Sequence, residues 1–256
     1  MKKNIALVTG ASSGLGKEFV RLLLDDSCID EIWTIARDIE KLNALRKEFG
    51  EKLVIFSVDL SEYEQIRNFE KIIVDSNINI KFLINNAGFG KFGAFDVISI
   101  EESINMINLN ICAVVTMCLI CIPFMDMGSH IINVSSQSSF QPLPYFNIYA
   151  STKVFIRHYS RALNIELKDK CIYVTTVCPS WLNTNFFARA KTNAKKSPNN
   201  FVGMETPFLI AKKALKDSKL NKALSIYGPH SMFSHLAGKL LPQSLLMSIW
   251  LRQQNL

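Results

Sequence analysis

The chain is predicted to be a doubly wound α/β domain, a mostly parallel seven-stranded sheet with helices on both faces. Two observations carry this prediction. Short β-branched runs alternate with longer amphipathic stretches along the chain, and the strand-like runs are apolar on both faces rather than alternating, as expected for strands covered on each side. Right-handed crossovers between such strands then leave one arrangement, a twisted open sheet.

The strands are expected at Asn4–Thr9, Glu31–Ala36, Leu53–Val58, Phe82–Asn85, His130–Val134, Tyr173–Val177 and Leu224–Tyr227. Helices are expected between them. Leu15–Leu24 places Phe19, Leu22 and Leu23 on one face, and Ile39–Phe49 does so with Leu42, Leu45 and Phe49. Tyr63–Val74, Glu101–Ile122, Ala150–Leu167 and Pro207–Leu215 complete the set. No repeat or low-complexity linker divides residues 1–256, so they read as one domain. An excursion at about 185–222 and an apolar C-terminal segment at about 229–256 are added to it.

With 256 residues, 48% of them hydrophobic, the chain can bury a substantial core, which excludes disorder and collagen-like repeats. The net charge of +7 is carried by the stretch from Phe186 to Lys222, where Arg189, Lys191, Lys195, Lys196, Lys212, Lys213, Lys216, Lys219 and Lys222 face only Glu205 and Asp217. Such a stretch is usually a solvated face, and it can also attract an anionic ligand, lipid headgroups or nucleic acid. Six cysteines without clustered histidine predict neither a disulfide framework nor a metal site, and Cys118 and Cys121 read as buried thiols on a helix. Reduced thiols point to the cytoplasm. The apolar run from Ile111 to Phe124 is bounded by Asn105, Asn108, Asn110 and Pro123, which favours a core helix over a membrane anchor.

Chemistry is concentrated where strands end. The first strand runs into Thr9-Gly10-Ala11-Ser12-Ser13-Gly14-Leu15-Gly16. Glycines there allow a tight turn and close approach to a pyrophosphate, with the next helix offering its N-terminal amides. About twenty residues on, Arg37 follows the second strand and Asp38 follows Arg37. An Arg in this place pairs with the 2′-phosphate of NADP, so NADP(H) is preferred over NAD(H); a plain surface Arg would leave the choice open. Asp59 ends the third strand and Asn85-Asn86-Ala87-Gly88 the fourth, both at the carboxyl edge where ligands of such sheets bind. Asp59 can equally do no more than cap a helix.

Ser136, Tyr149 and Lys153 form the strongest constellation. Tyr149 and Lys153 are four apart on a predicted helix and share a face. An ammonium beside a phenol is expected to lower its pKa toward neutrality, which suits proton exchange with a carbonyl or alcohol oxygen. Ser136 is placed to hydrogen-bond that oxygen.

On the glycine turn, Asn85-Asn86-Ala87-Gly88, Ser136 and Tyr149-Ala150-Ser151-Thr152-Lys153, the chain resembles the short-chain dehydrogenase/reductase family over nearly its full length. The resemblance implies a Rossmann fold and an NAD(P)-dependent oxidoreductase with Tyr149 as proton donor or acceptor, Ser136 orienting the substrate oxygen, and Lys153 holding the nicotinamide ribose. It also implies a helix Asn holding a relay water, for which Asn110 fits better than Asn108. Pro179 and Thr184 match the family's segment after the sixth strand, while Ser180 stands where the family has Gly. A homodimer or homotetramer through Glu101–Ile122 and Ala150–Leu167 is a further implication.

Aromatic residues near these positions point to a bulky apolar carbonyl or alcohol substrate of steroid, long-chain ketone or acyl type. They are Phe89, Phe92, Phe95, Phe140, Phe146, Phe186, Phe187, Phe201 and Phe208. Nucleic acid is not expected as a partner, and peripheral membrane contact is left open. The competing reading is a non-catalytic nucleotide-binding scaffold that docks a membrane or nucleic acid through its Lys-rich segment.

Overall fold

The computed structural model describes residues 2–182, 184, 186–191 and 197–256. Seven parallel strands form one sheet in the order β3-β2-β1-β4-β5-β6-β7. They are β1 (Lys3–Thr9), β2 (Glu31–Ala36), β3 (Leu53–Ser57), β4 (Ile78–Asn85), β5 (His130–Val134), β6 (Tyr173–Val177) and β7 (Leu224–Ser225). The helices are α1 (Gly14–Leu24), α2 (Ile39–Phe49), α3 (Tyr63–Asp75), α4 (Ile100–Ile107), α5 (Ala113–Cys121), α6 (Asn147–Glu166), α7 (Phe186–Ala190), α8 (Pro207–Lys219), α9 (Pro229–Leu240) and α10 (Gln243–Gln254).

Strand pleating explains the continuous apolar runs. Ile5 and Leu7 enter one core with Trp33, Phe69, Met106, Met117 and Ile156, while Ala6 and Val8 enter the other with Phe19, Leu23, Ile84 and Ile132. Chain order reverses between β1 and β4, which opens a crevice at their carboxyl ends.

Three departures from the expected elements matter for function. β4 begins at Ile78, four residues before the expected start, because Lys3–Ile5 of β1 pair with Ile78–Ile80. The expected single helix Glu101–Ile122 is α4 and α5 joined by a π-helical turn at Asn108–Cys112, with Asn110 buried inside that turn. Widened turns of this kind re-aim side chains within a helix. Its apolar length would suffice to cross a membrane, yet Met106, Ala113, Met117 and Cys121 pack in the core.

The basic excursion is also less uniform than expected. Its residues 197–206 run irregularly, Arg189 lies in α7, and Lys195 and Lys196 lie outside the described residues. α8 flanks the sheet, burying Ile210, Ala211 and Ala214. Its charge is partly neutralised internally: the buried Asp217 carboxylate accepts from Lys213 at 2.7 Å, Lys222 at 2.8 Å and Ser225 Oγ at 2.8 Å, and Lys219 pairs with Asp26 at 2.7 Å.

Candidate active site

A cleft of about 800 Å³ opens at the crevice between β1 and β4. Gly10, Ser12, Ser13, Gly14 and Leu15 form its floor, Arg37 and Asp59 stand at one end, and Ser136, Tyr149 and Lys153 stand at the other. Asn86, Ala87, Gly88, Pro179 and Thr184 line it as well. Two expected residues, Gly16 and Asn110, support the cleft from behind.

Gly10 turns the chain in the left-handed region, at φ +63°, where a side chain would be strained. At Gly16 the demand is one of contact: a Cβ there would lie 2.1 Å from the Gly10 carbonyl oxygen. The turn is then fastened to β4. Thr9 Oγ1 accepts from the amides of Asn86 (2.9 Å) and Ala87 (3.0 Å), and Asn86 Nδ2 donates to the Thr9 and Gly10 carbonyls at 3.0 and 3.2 Å. Thr9, which opens the glycine-rich run, is thus a site residue to which the sequence assigned no role of its own, since a hydroxyl that binds only backbone leaves no reactive signature.

α1 presents its first turn to the same floor. That turn holds no acidic residue, and the Ser13 side chain makes no capping bond to it. Amides at such a helix start suit an anionic group. At the far end, the Arg37 guanidinium lies 3.5 Å from Asp59 in an exposed pair of little intrinsic strength. Lys41 also lines the cleft and pairs with Asp38, whose carboxylate caps α2 by accepting from the Lys41 amide. Asp59 serves its own turn too, accepting from Ser61 N and Oγ at 3.0 and 2.7 Å.

Tyr149 and Lys153 face one another across a turn of α6, with Nζ 5.6 Å from the phenol ring centroid. The expected lowering of the Tyr149 pKa does not occur in this state. Burial pushes the phenol well above its ordinary value, and only the Ser136 hydroxyl opposes that shift. Lys153 is itself buried, its Nζ donating to the Val134 carbonyl at 2.9 Å, and burial pulls its pKa down to about 8.

The Asn110 side chain is fully engaged by protein groups. Its Oδ1 accepts from the Phe89 amide (3.1 Å), and its Nδ2 donates to Phe89 O (2.9 Å) and Thr152 Oγ1 (3.1 Å). The side chain therefore clamps the backbone just after Gly88. Both Asn110 and Lys153 abut Gly88, for a Cβ there would lie 2.9 Å from Asn110 Oδ1 and 3.4 Å from Lys153 Nζ.

The short chain dehydrogenase family profile matches residues 4–195. The chain belongs to the short-chain dehydrogenase/reductase family. It is 30% identical over 261 residues to very-long-chain 3-oxoacyl-CoA reductase-A of Danio rerio, covering 98% of this chain and 78% of that protein. It is 32% identical over 188 residues to 3-ketodihydrosphingosine reductase of Bacteroides thetaiotaomicron, covering 73% and 66%. Among solved structures, a short-chain dehydrogenase from Sphingobium yanoikuyae in complex with NADPH superposes with a TM-score of 0.77 at 26% identity, covering 96% and 95% of the two chains.

This dehydrogenase is accordingly an NAD(P)-dependent oxidoreductase on a Rossmann-like sheet. Its residues fit the dinucleotide: a glycine floor against a helix start, cations at one end and a buried Tyr–Lys pair at the other. Ser180, where the family has Gly, is buried without a left-handed backbone, so no glycine is required there.

The expected aromatic wall is thinner than its sequence suggested. Phe89 and Phe186 line the cleft, joined by Trp181 and Leu182. Phe95 is 88% exposed, and Phe140 packs on His235. Phe92, Phe146, Phe187 and Phe201 stack behind the wall, with centroids 4.4 Å apart for Phe92–Phe146 and for Phe187–Phe201.

Proposed function

We propose that this dehydrogenase uses NADP(H) to interconvert a ketone and a secondary alcohol on a bulky apolar substrate of the 3-oxoacyl or long-chain 3-keto type. The observation that carries this reading is the cleft itself. It joins the basic end at Arg37 and Lys41 to Tyr149 and Ser136, under a cover of Phe89, Trp181, Leu182 and Phe186. The names of the very-long-chain 3-oxoacyl-CoA and 3-ketodihydrosphingosine reductases point to the same chemical class.

When bound, the cofactor supplies or receives the hydride. The protein's part is to hold the reacting oxygen and move its proton. Ser136 Oγ accepts from the Ser138 amide at 3.1 Å and shares a hydrogen bond with Tyr149, so the two hydroxyls are placed to meet the same substrate oxygen. The protonated Tyr149 phenol, held so by burial, is the acid for carbonyl reduction. Lys153 is mostly charged at neutral pH with a pKa of about 8, and its ammonium offsets the phenolate left after proton transfer. Asn110, through Thr152, holds the helix on which Tyr149 and Lys153 stand. Exposed Ile104 and Leu119 on α4 and α5, with Phe155 and Ile165 on α6, supply an apolar face for a homodimer.

The decisive experiment compares wild type with Tyr149→Phe, using a long-chain 3-oxoacyl thioester and NADPH. Turnover is expected to fall by roughly 10³-fold or more, within reach of a lost general acid, while NADPH binding is retained. Unchanged turnover in the variant would sink the mechanism. The scaffold reading would leave the converged Ser136, Tyr149 and Lys153 without a role.

A further inference from the structure

We infer that the outer face of α9 and α10 docks on the surface of an anionic lipid bilayer. From Ser218 to Leu256 the chain contains no Asp or Glu, while it holds Lys219, Lys222, Lys239 and Arg252. Lys219 and Lys222 are paired with Asp26 and Asp217; among the described residues Lys239 and Arg252 have no ion-pair partner.

The orientation of α9 is set by what it buries. Ser231 donates to Gln137 Oε1 at 3.3 Å, the His235 ring lies 4.7 Å from that of Phe140, and a Cβ at Gly238 would lie 2.5 Å from the Phe140 carbonyl oxygen. The opposite face is left to Met232, Phe233, Leu236 and Leu240, which are 53%, 70%, 54% and 72% exposed. α10 repeats the arrangement. Leu246, Trp250 and Gln254 are buried, Trp250 Nε1 donating to the Pro144 carbonyl at 3.0 Å, while Leu245, Ile249 and Arg252 face outward. Exposed Val202 and Met204 flank Gly203, which abuts the His230 ring and so continues the patch beside the start of α9.

Exposed apolar side chains spread along two consecutive helices mark an interaction surface. Its chemistry selects the occupant. A symmetric self-contact would bring the Lys239 and Arg252 charges of two copies onto one interface, whereas an anionic headgroup layer meets them with opposite charge and lets the apolar side chains enter the acyl boundary. The location suits a lipid substrate as well, since the Trp250 and Trp181 rings lie 6.4 Å apart and Trp181 lines the cleft. Docking itself does not depend on the proposed reaction.

The test is co-sedimentation of the full chain with vesicles of phosphatidylcholine alone and of phosphatidylcholine with 30 mol% phosphatidylglycerol. Binding is expected to the anionic vesicles, weakening with salt. Phe233→Ser with Leu236→Ser should weaken it roughly 100-fold, about tenfold for each apolar side chain withheld. Lys239→Gln should weaken it about fivefold at low salt. NADPH binding, which involves none of these residues, reports that each variant is folded and separates this result from any failure of the reaction. Should the double variant not fold, Lys239→Gln and the salt series decide alone. Absence of binding, equal binding to neutral vesicles, or full binding by the variants would overturn the inference. So would a concentration-dependent dimer that the double variant dissolves, which would give the face to a second copy.

Discussion

The two halves of the cleft are built by different means. The cofactor half, from Gly10 to Gly16 and at Asn86–Gly88, is a backbone structure: short-range turns are held by Thr9 and Asn86 through hydrogen bonds to main-chain groups. The other half, at Trp181, is backed by a stack of aromatic side chains drawn from residues far apart in the chain, Phe146, Phe187, Phe201 and Trp250. Backbone geometry tolerates few sequences, while aromatic packing tolerates many. The first half therefore carries a motif and the second does not.

Substitutions can break this contrast in order of expected effect. Trp250→Ala removes a buried ring and its bond to Pro144, and should cost about 3 kcal/mol of stability. Denaturation curves with and without NADPH would check that cofactor affinity survives among the molecules still folded. If affinity falls equally, the halves are not separable. Gly16→Ala does the converse, since its Cβ would overlap the Gly10 carbonyl. An NADPH titration should show affinity lower by roughly 100-fold, the scale of an ångström's misplacement, with the circular dichroism of the sheet unchanged.

A smaller effect separates the two ends of the cofactor half. Arg37→Ala should weaken NADPH roughly 30-fold through one charge-assisted phosphate contact and leave NADH nearly untouched. Equal losses for both cofactors would assign Arg37 to Asp59 alone. The seam between the halves is probed by pH. With Tyr149 held protonated by burial, Lys153 at about 8 is the first of the pair to lose its proton as pH rises. Reductive kcat/KM should therefore decline above pH 8, by about tenfold for each further unit. Lys153→Arg should move that alkaline limb upward, and an unmoved limb would assign it to another group.

Much of this architecture is legible in the amino-acid sequence. The sheet follows from apolar runs spaced by amphipathic helices, because both faces of each inner strand are covered. The expected cleft residues from Gly10 and Arg37 to Pro179 and Thr184 line one cavity together with Tyr149 and Lys153, Gly16 and Asn110 standing just behind it. Their local turns are dictated by adjacent residues. Phe95, Phe92 and Phe146 show the limit: all three are aromatic and near the motifs, yet the first is exposed and the other two are core.

What the sequence determined by itself was therefore the parallel sheet, the glycine turn and the chemical types gathered at the strand ends, all set by periodicity and short-range sterics. Tertiary structure decided the π-helical turn that buries Asn110, the choice of Phe89 and Phe186 over their neighbours as cleft walls, the pairing of Lys213 and Lys222 with the buried Asp217, and the direction in which burial moves Tyr149 and Lys153. Each of those depends on which distant groups remove water from a side chain, and desolvation is a property of the packed molecule rather than of any segment.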